Sequence, residues 1–118
     1  MLRLLLQPVV ENAFVHGFAN LPPNARREVV ITARARPGFL VLRVRDNGQG
    51  IPPEQVQRMN EAFSRFSPVL KNEKRKGRIG LENINQRLQL FYAGQGRVFL
   101  RSIPGVHTSV FLIFKNKR

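Results

Sequence analysis

From Leu4 to about Phe18 the apolar positions Leu5, Val9 and Ala13, followed by His16, recur with a helical period and predict an amphipathic first helix. Pro8 falls early enough to be tolerated in a first turn. After the loop NLPPNARR the period drops to two, so REVVITARAR and FLVLRVRD predict two strands joined as a hairpin by Pro37 and Gly38. PPEQVQRMNEAFSRF predicts a second helix opened by Pro52 and Pro53, and the polar, basic stretch SPVLKNEKRKGR predicts a loop after it. IGLENINQRLQLFYAG returns to the helical period, with Leu81, Ile84, Leu88 and Phe91 on one face and Gly94 near the end. The tail GRVFLRSIPGVHTSVFLIF supplies two more strands around Pro104 and Gly105.

Alternation assigns faces to these strands. Leu40, Leu42, Val44 and Asp46 share one side of the second strand, and Val41, Arg43 and Arg45 share the other. Thr108 falls with Val110 and Leu112. The apolar face of each strand should meet the helices, so an acid and a hydroxyl are expected to face one cavity.

At 118 residues and 42% hydrophobic composition, with no linker or repeat, the chain reads as one domain, 1–118. The absence of cysteine excludes disulfides and thiolate metal sites, and two isolated histidines, His16 and His107, argue against structural zinc. No apolar run approaches the ~20 residues of a membrane helix, and the N-terminus lacks a signal-peptide cleavage pattern. The net charge of +13 favours polyanionic partners, whether nucleic acid, anionic lipid or nucleotide phosphate.

Three stretches carry candidate chemistry. In RDNGQGIP an inward carboxylate needs a hydrogen-bond donor, and Gly48 and Gly50 allow a sharp turn and close approach of a flat ligand such as an amino-bearing aromatic ring. An Asx-type turn accounts for Asp46-Asn47-Gly48 without any ligand. In KGRIGLENI two glycines and a basic loop lead into a helix N-terminus, which suits phosphate, or is simply a cap behind a mobile loop. In QPVVENAFVHG, Glu11, Asn12 and His16 place polar groups on a packing helix; the Asn12 carbonyl could serve a phosphate-bridging magnesium, while His16 before Gly17 also fits a helix-end histidine.

In order and spacing, LQPVVENAFVHG, DNGQGIP and GRIGLENINQRLQLFY resemble the N box and two glycine boxes of the GHKL ATP-binding fold. They are most similar to the catalytic domains of LytS/YehU-type sensor histidine kinases, whose pattern runs LQPLVENAIKHG, DNGxG and GxGLxNIxxRL. The resemblance spans nearly the whole chain. It implies the Bergerat fold, an α/β two-layer sandwich: a mixed, mostly antiparallel sheet with helices on one face and nucleotide between the layers. It also implies ATP and Mg2+ as cofactors, with Asn12 as magnesium ligand, Asp46 as acceptor from the adenine amino group and Thr108 supporting the adenine site through Asp46. Gly48 and Gly50 become close-approach glycines, Gly77 and Gly80 line the phosphates, and His16, Ile51 and Leu81 complete the nucleotide-binding set. The stretch from about Ser67 to Lys76 matches the ATP lid, with Lys74, Arg75 and Lys76 among its phosphate contacts.

The same resemblance implies a protein histidine kinase that passes the γ-phosphate to a histidine on an upstream dimerisation segment. In the full system it would work as a homodimer with a response regulator, in the cytoplasmic part of a membrane-anchored sensor, with no membrane contact or specific nucleic acid of its own. The N box stands so near Met1 that the domain reads as N-terminally truncated and not expected to phosphorylate itself alone. Glu11 and Asn12 are the catalytic candidates; Pro8 occupies the site of the glutamate that hydrolytic relatives place one turn before the Asn, and Glu11 lies about 100° round the helix from Asn12. Val15 replaces a usual lysine, and His107 replaces the second glycine of a GxGT, where it is expected to narrow the pocket. Two other readings compete: a basic nucleic-acid module, weakened by one Tyr and no Trp for stacking, and a non-catalytic oligomerisation remnant using Phe39, Val41, Phe99, Phe111 and Ile113.

Overall fold

The computed structural model describes residues 2–19, 21–65, 79–91 and 96–115. Its elements run α1 (Leu2–Asn12), continued by a π-helical turn Ala13–Gly17, then β1 (Val29–Arg36), β2 (Phe39–Asp46), α2 (Pro53–Ser64), α3 (Ile79–Phe91), β3 (Gly96–Ile103) and β4 (His107–Lys115). Both strand pairs are hairpins, and the sheet order is β1-β2-β4-β3. All three pairings are antiparallel, so no parallel pair of a mixed sheet occurs among the described residues.

The predicted periods place the core correctly. Leu42, Val44, Val98, Leu100, Val110 and Leu112 line the inner face of the sheet, and Leu81, Ile84 and Leu88 of α3 are buried against them with Val9 and Phe63. Helices therefore cover one face of the β2-β4-β3 part, whereas every residue of β1 after Val29 is exposed. Each fully buried Leu or Ile contributes about 1.5–3 kcal/mol, which makes this layer contact the main stabilising term.

Helix side chains also close the sheet edge at β3. Asn60 of α2 donates from Nδ2 to the Leu100 carbonyl at 3.0 Å and accepts from the Leu100 N–H at 2.8 Å. Asn85 of α3 accepts from the Val98 N–H at 2.7 Å and donates to the Phe63 carbonyl at 2.9 Å. Both amides answer backbone groups that an open strand edge leaves unpaired.

The first helix departs from expectation. It begins at Leu2, so Pro8 lies inside it and not in its first turn. A proline removes one backbone donor and crowds the preceding turn. Five residues later the helix widens: the Phe18 N–H donates to the Ala13 carbonyl at 3.0 Å, an i to i+5 bond. The extra residue in that ring takes His16 out of the α-helical i, i+4 register with Asn12 that a regular helix would give.

Candidate nucleotide site

Asp46 closes β2 on its inner face, where it is 4% exposed and directly opposite Thr108 of β4 and Val29 of β1. The alternation of FLVLRVRD brings it there, because the same parity buries Leu42 and Val44. The chain then turns: the Gly48 N–H donates to Asp46 Oδ1 at 2.9 Å. Asn47 fastens the turn to the approach of β1, accepting from the Glu28 N–H at 2.8 Å and donating to the Arg26 carbonyl at 2.9 Å. An Asx-type turn is thus present, but it uses one carboxylate oxygen and leaves the other without a hydrogen bond among the described residues.

The two glycines make room for the protein's own backbone. A Cβ on Gly48 would lie 2.1 Å from the Gly17 carbonyl oxygen and 2.8 Å from Asp46 Oδ1. Gly50 has φ +77°, and a Cβ there would lie 2.5 Å from the Ile103 carbonyl oxygen. Packing against the chain's own backbone is by itself enough to require glycine at both positions; the loop is clamped between the π-turn and the β3-β4 turn. Gln49 is the clamp, donating from its N–H to the Gly17 carbonyl and from Nε2 to the His16 carbonyl, both at 2.7 Å. Its own carbonyl accepts from the Gly105 N–H at 2.6 Å.

Gly17 itself escaped the sequence reading as a site residue. A Cβ there would sit 3.0 to 3.1 Å from the three outer atoms of the Asp46 carboxylate group. Glycine at position 17 therefore lets the π-turn pass over the acid without crowding its carboxylate. Its signal was present as a glycine directly after the helix, but a helix stop explained it equally well.

Thr108 is buried and on the predicted face, yet its partner differs from the expected one. Ser102 Oγ donates its single proton to the His107 carbonyl at 2.8 Å. The 3.0 Å contact between Ser102 and Thr108 therefore uses the Thr108 proton, which is then not available to Asp46. Ser102 also accepts from the Ile51 N–H at 2.8 Å, so Thr108 steadies the loop after Gly50 and not the carboxylate directly.

The remaining candidates divide by place. Asn12 is half-buried, and its carboxamide makes no hydrogen bond among the described residues, leaving a neutral oxygen free to coordinate. Glu11 is exposed and accepts from Gln7 Nε2 at 3.2 Å. Ile51 and Leu81, at 7% and 0% exposure, are core side chains. Gly80 lies in the first turn of α3. His107 does not narrow this site: opposite parity to Thr108 puts it on the outer face of the sheet. Lys74, Arg75, Lys76, Gly77 and the lid stretch lie outside the described residues.

Burial raises the Asp46 carboxyl above its ordinary value, against smaller opposing effects from the Gly48 N–H and from His107. An acid made costly in this way gains from any donor that reaches its open oxygen. An adenine amino group is such a donor, and Asn12 supplies the hard oxygen that magnesium prefers, so the residues fit the pair ATP and Mg2+.

The two-layer sandwich, with a buried acid at a strand end beneath a helix that carries an unengaged Asn, defines a nucleotide-binding domain of the GHKL class. A family model for histidine kinase-, DNA gyrase B- and HSP90-like ATPases matches residues 1–118, and the chain belongs to that family. It is 36% identical over 110 residues to the sensor histidine kinase YpdA of Escherichia coli K12, covering 92% of this chain and 17% of that protein. The sensor protein LytS of Staphylococcus saprophyticus is 31% identical over 97 residues, covering 82% of this chain and 15% of that protein. LytS of Bacillus anthracis is 28% identical over 113 residues, covering 96% and 18%. The chain thus spans less than a fifth of the length of each of these relatives. No helix among the described residues is long and apolar enough to cross a membrane.

Proposed function

We propose that this domain binds Mg-ATP and supplies the γ-phosphate to a histidine on a separate dimerisation segment, as the catalytic part of a two-component sensor histidine kinase. The carrying observation is Asp46: a buried carboxylate with one backbone donor and one open oxygen, whose natural complement is the adenine amino group. Asn12 would hold magnesium through its amide oxygen, and the metal would supply neutralisation of phosphate charge. The chain's own residues bind and orient; Glu11, exposed and bonded to Gln7, lies about 100° round the helix from Asn12 and is poorly aimed at an attacking water, so catalysis is mainly positioning and charge stabilisation. The acceptor histidine, a response regulator and a homodimer in the cytoplasm belong to the same proposal and rest on the likeness to the sensor kinases.

Calorimetric titration with ATP, with and without magnesium, tests this reading. Asn12→Ala should abolish the magnesium-dependent gain in ATP affinity and leave magnesium-free binding within about twofold, a change below 1 kcal/mol. A magnesium effect that survives the substitution would move the metal elsewhere. Neutralising Lys74, Arg75 and Lys76 together should weaken ATP by roughly tenfold and AMP far less, because the lid would touch only the distal phosphates. An unchanged ratio of ATP to AMP affinity would reject that stretch as the lid.

A further inference from the structure

The side of the sheet away from the helices carries a second arrangement that nucleotide binding at Asp46 does not use. Its strands place Arg34, Arg36, Arg43, Arg45, Arg97 and Arg101 outward, while their only acid, Asp46, points inward. Four of the outward side chains form a ladder across three strands. Arg97 lies 5.8 Å from the Phe99 ring centroid, Phe99 and Phe111 are 6.3 Å apart, and Arg43 lies 5.5 Å from the Phe111 centroid. Arg43 is further fixed by donating from Nε to Ser109 Oγ at 3.1 Å, a hydroxyl on a residue with no exposed surface.

That geometry aims a guanidinium without satisfying it. The Nη groups of Arg43 have no hydrogen-bond partner among the described residues, and stacking on Phe111 with the Ser109 bond removes most of the freedom a solvated arginine would keep. The side chain borders a groove of about 780 Å³ between α2 and the outer sheet, whose floor also holds Phe99, Arg101 and His107 and whose far wall is the apolar edge of Val56. This volume suits a small organic molecule. Among the described residues Glu61 is the one carboxylate on the groove, and it stands on the opposite wall, on α2. Burial, and after it the charges of Arg45 and Arg43, hold the His107 imidazole's pKa down against a smaller opposing effect of Asp46, so the positive charge of the floor comes from the arginines. A merely solvated charged face would need neither a buried hydroxyl beneath one arginine nor phenylalanine rings under two of them.

We propose that this groove is a second ligand site, which takes a small aromatic or apolar organic anion, its carboxylate or phosphate paired with the Arg43 fork and its body against Phe99 and Val56. Arg101 adds charge at the rim, and the site is separate from Asp46 because the sheet lies between them.

Phenyl phosphate, benzoate and inorganic phosphate, titrated into the full chain by calorimetry at fixed ionic strength, supply the test. Phenyl phosphate and benzoate should each bind to one saturable site, and phenyl phosphate at least roughly tenfold more tightly than inorganic phosphate, because only the former fills the apolar wall. Arg43→Met should weaken phenyl phosphate roughly tenfold, and Arg43→Lys should restore only part of the loss, since a lysine keeps charge without the fork. Arg101→Gln, at an exposed position and without effect on thermal midpoint, should weaken it by about threefold, so that a folding defect at position 43 cannot decide the matter. Asp46→Asn should leave phenyl phosphate binding unchanged, which separates this site from the nucleotide site whether or not ATP binds there. Equal affinity for phenyl and inorganic phosphate, indifference to both arginine substitutions, or loss of binding in Asp46→Asn would each overturn the proposal.

Discussion

Gly48→Ala is expected to destabilise the domain by roughly 2–4 kcal/mol, a large share of the ~5–15 kcal/mol that holds an ordinary domain together. The added methyl would lie 2.1 Å from the Gly17 carbonyl oxygen and 2.5 Å from its carbonyl carbon, and both are backbone, so no rotamer change relieves the overlap. Moving the strand end away would stretch the Gln49 N–H bond to that same Gly17 carbonyl and disturb Asp46 Oδ1, the third atom the methyl meets. Gly38→Ala provides the comparison. That residue has φ +90° in the β1-β2 turn with nothing within 4 Å of a new Cβ, so its cost is conformational alone, about 1 kcal/mol. Chemical denaturation of the two variants should separate them by at least about 1 kcal/mol with the larger loss at position 48. Equal losses would mean that the loop and the π-turn are not locked together as described.

The contrast marks what the sequence could carry. A period of two in FLVLRVRD and HTSVFLIF fixed which side chains enter the core, and with it the meeting of Asp46 and Thr108 on one face, since strand parity admits only two answers and the apolar residues choose between them. The same parity already assigned His107 to the outer face, so its expected intrusion into the pocket contradicted the strand reading. The glycines were legible as a demand for space but not as to what fills it. Gly48 meets Gly17 and Gly50 meets Ile103, contacts 31 and 53 positions away along the numbering, and no local pattern reports them. The π-turn was equally hidden, because one extra residue in a hydrogen-bonded ring does not change which residues are apolar. Ser102, which takes up the Thr108 proton, looked like an ordinary polar position in a strand, and its role depends on where the Ile51 N–H arrives from another part of the chain.

The Asp46→Asn variant should move stability and nucleotide affinity in opposite directions. Burial holds the folded carboxyl above the ordinary aspartate value of 3.8 that the unfolded chain keeps. Between those two values the folded chain binds the proton more strongly than the unfolded chain does, so stability falls as pH rises through the window and stays at the lower level above it. An amide carries no charge and has no such penalty. At neutral pH the variant should therefore match or exceed the parent in thermal midpoint, and its stability should lose the parent's decline above pH 3.8. Binding runs the other way, because the amide presents one acceptor oxygen and two donors where the carboxylate presents acceptors alone. ATP should weaken by about 1–3 kcal/mol, while GTP, whose base bears a keto oxygen in place of the amino group, should weaken less or improve. In the parent, a donor reaching the open oxygen favours the ionised acid, so ATP binding should release protons and weaken as pH falls through the raised value. Calorimetry in buffers of different ionisation enthalpy reads that release directly. Equal weakening of ATP and GTP, or a variant less stable than the parent across the neutral range, would show that Asp46 holds the loop together and does not read the base.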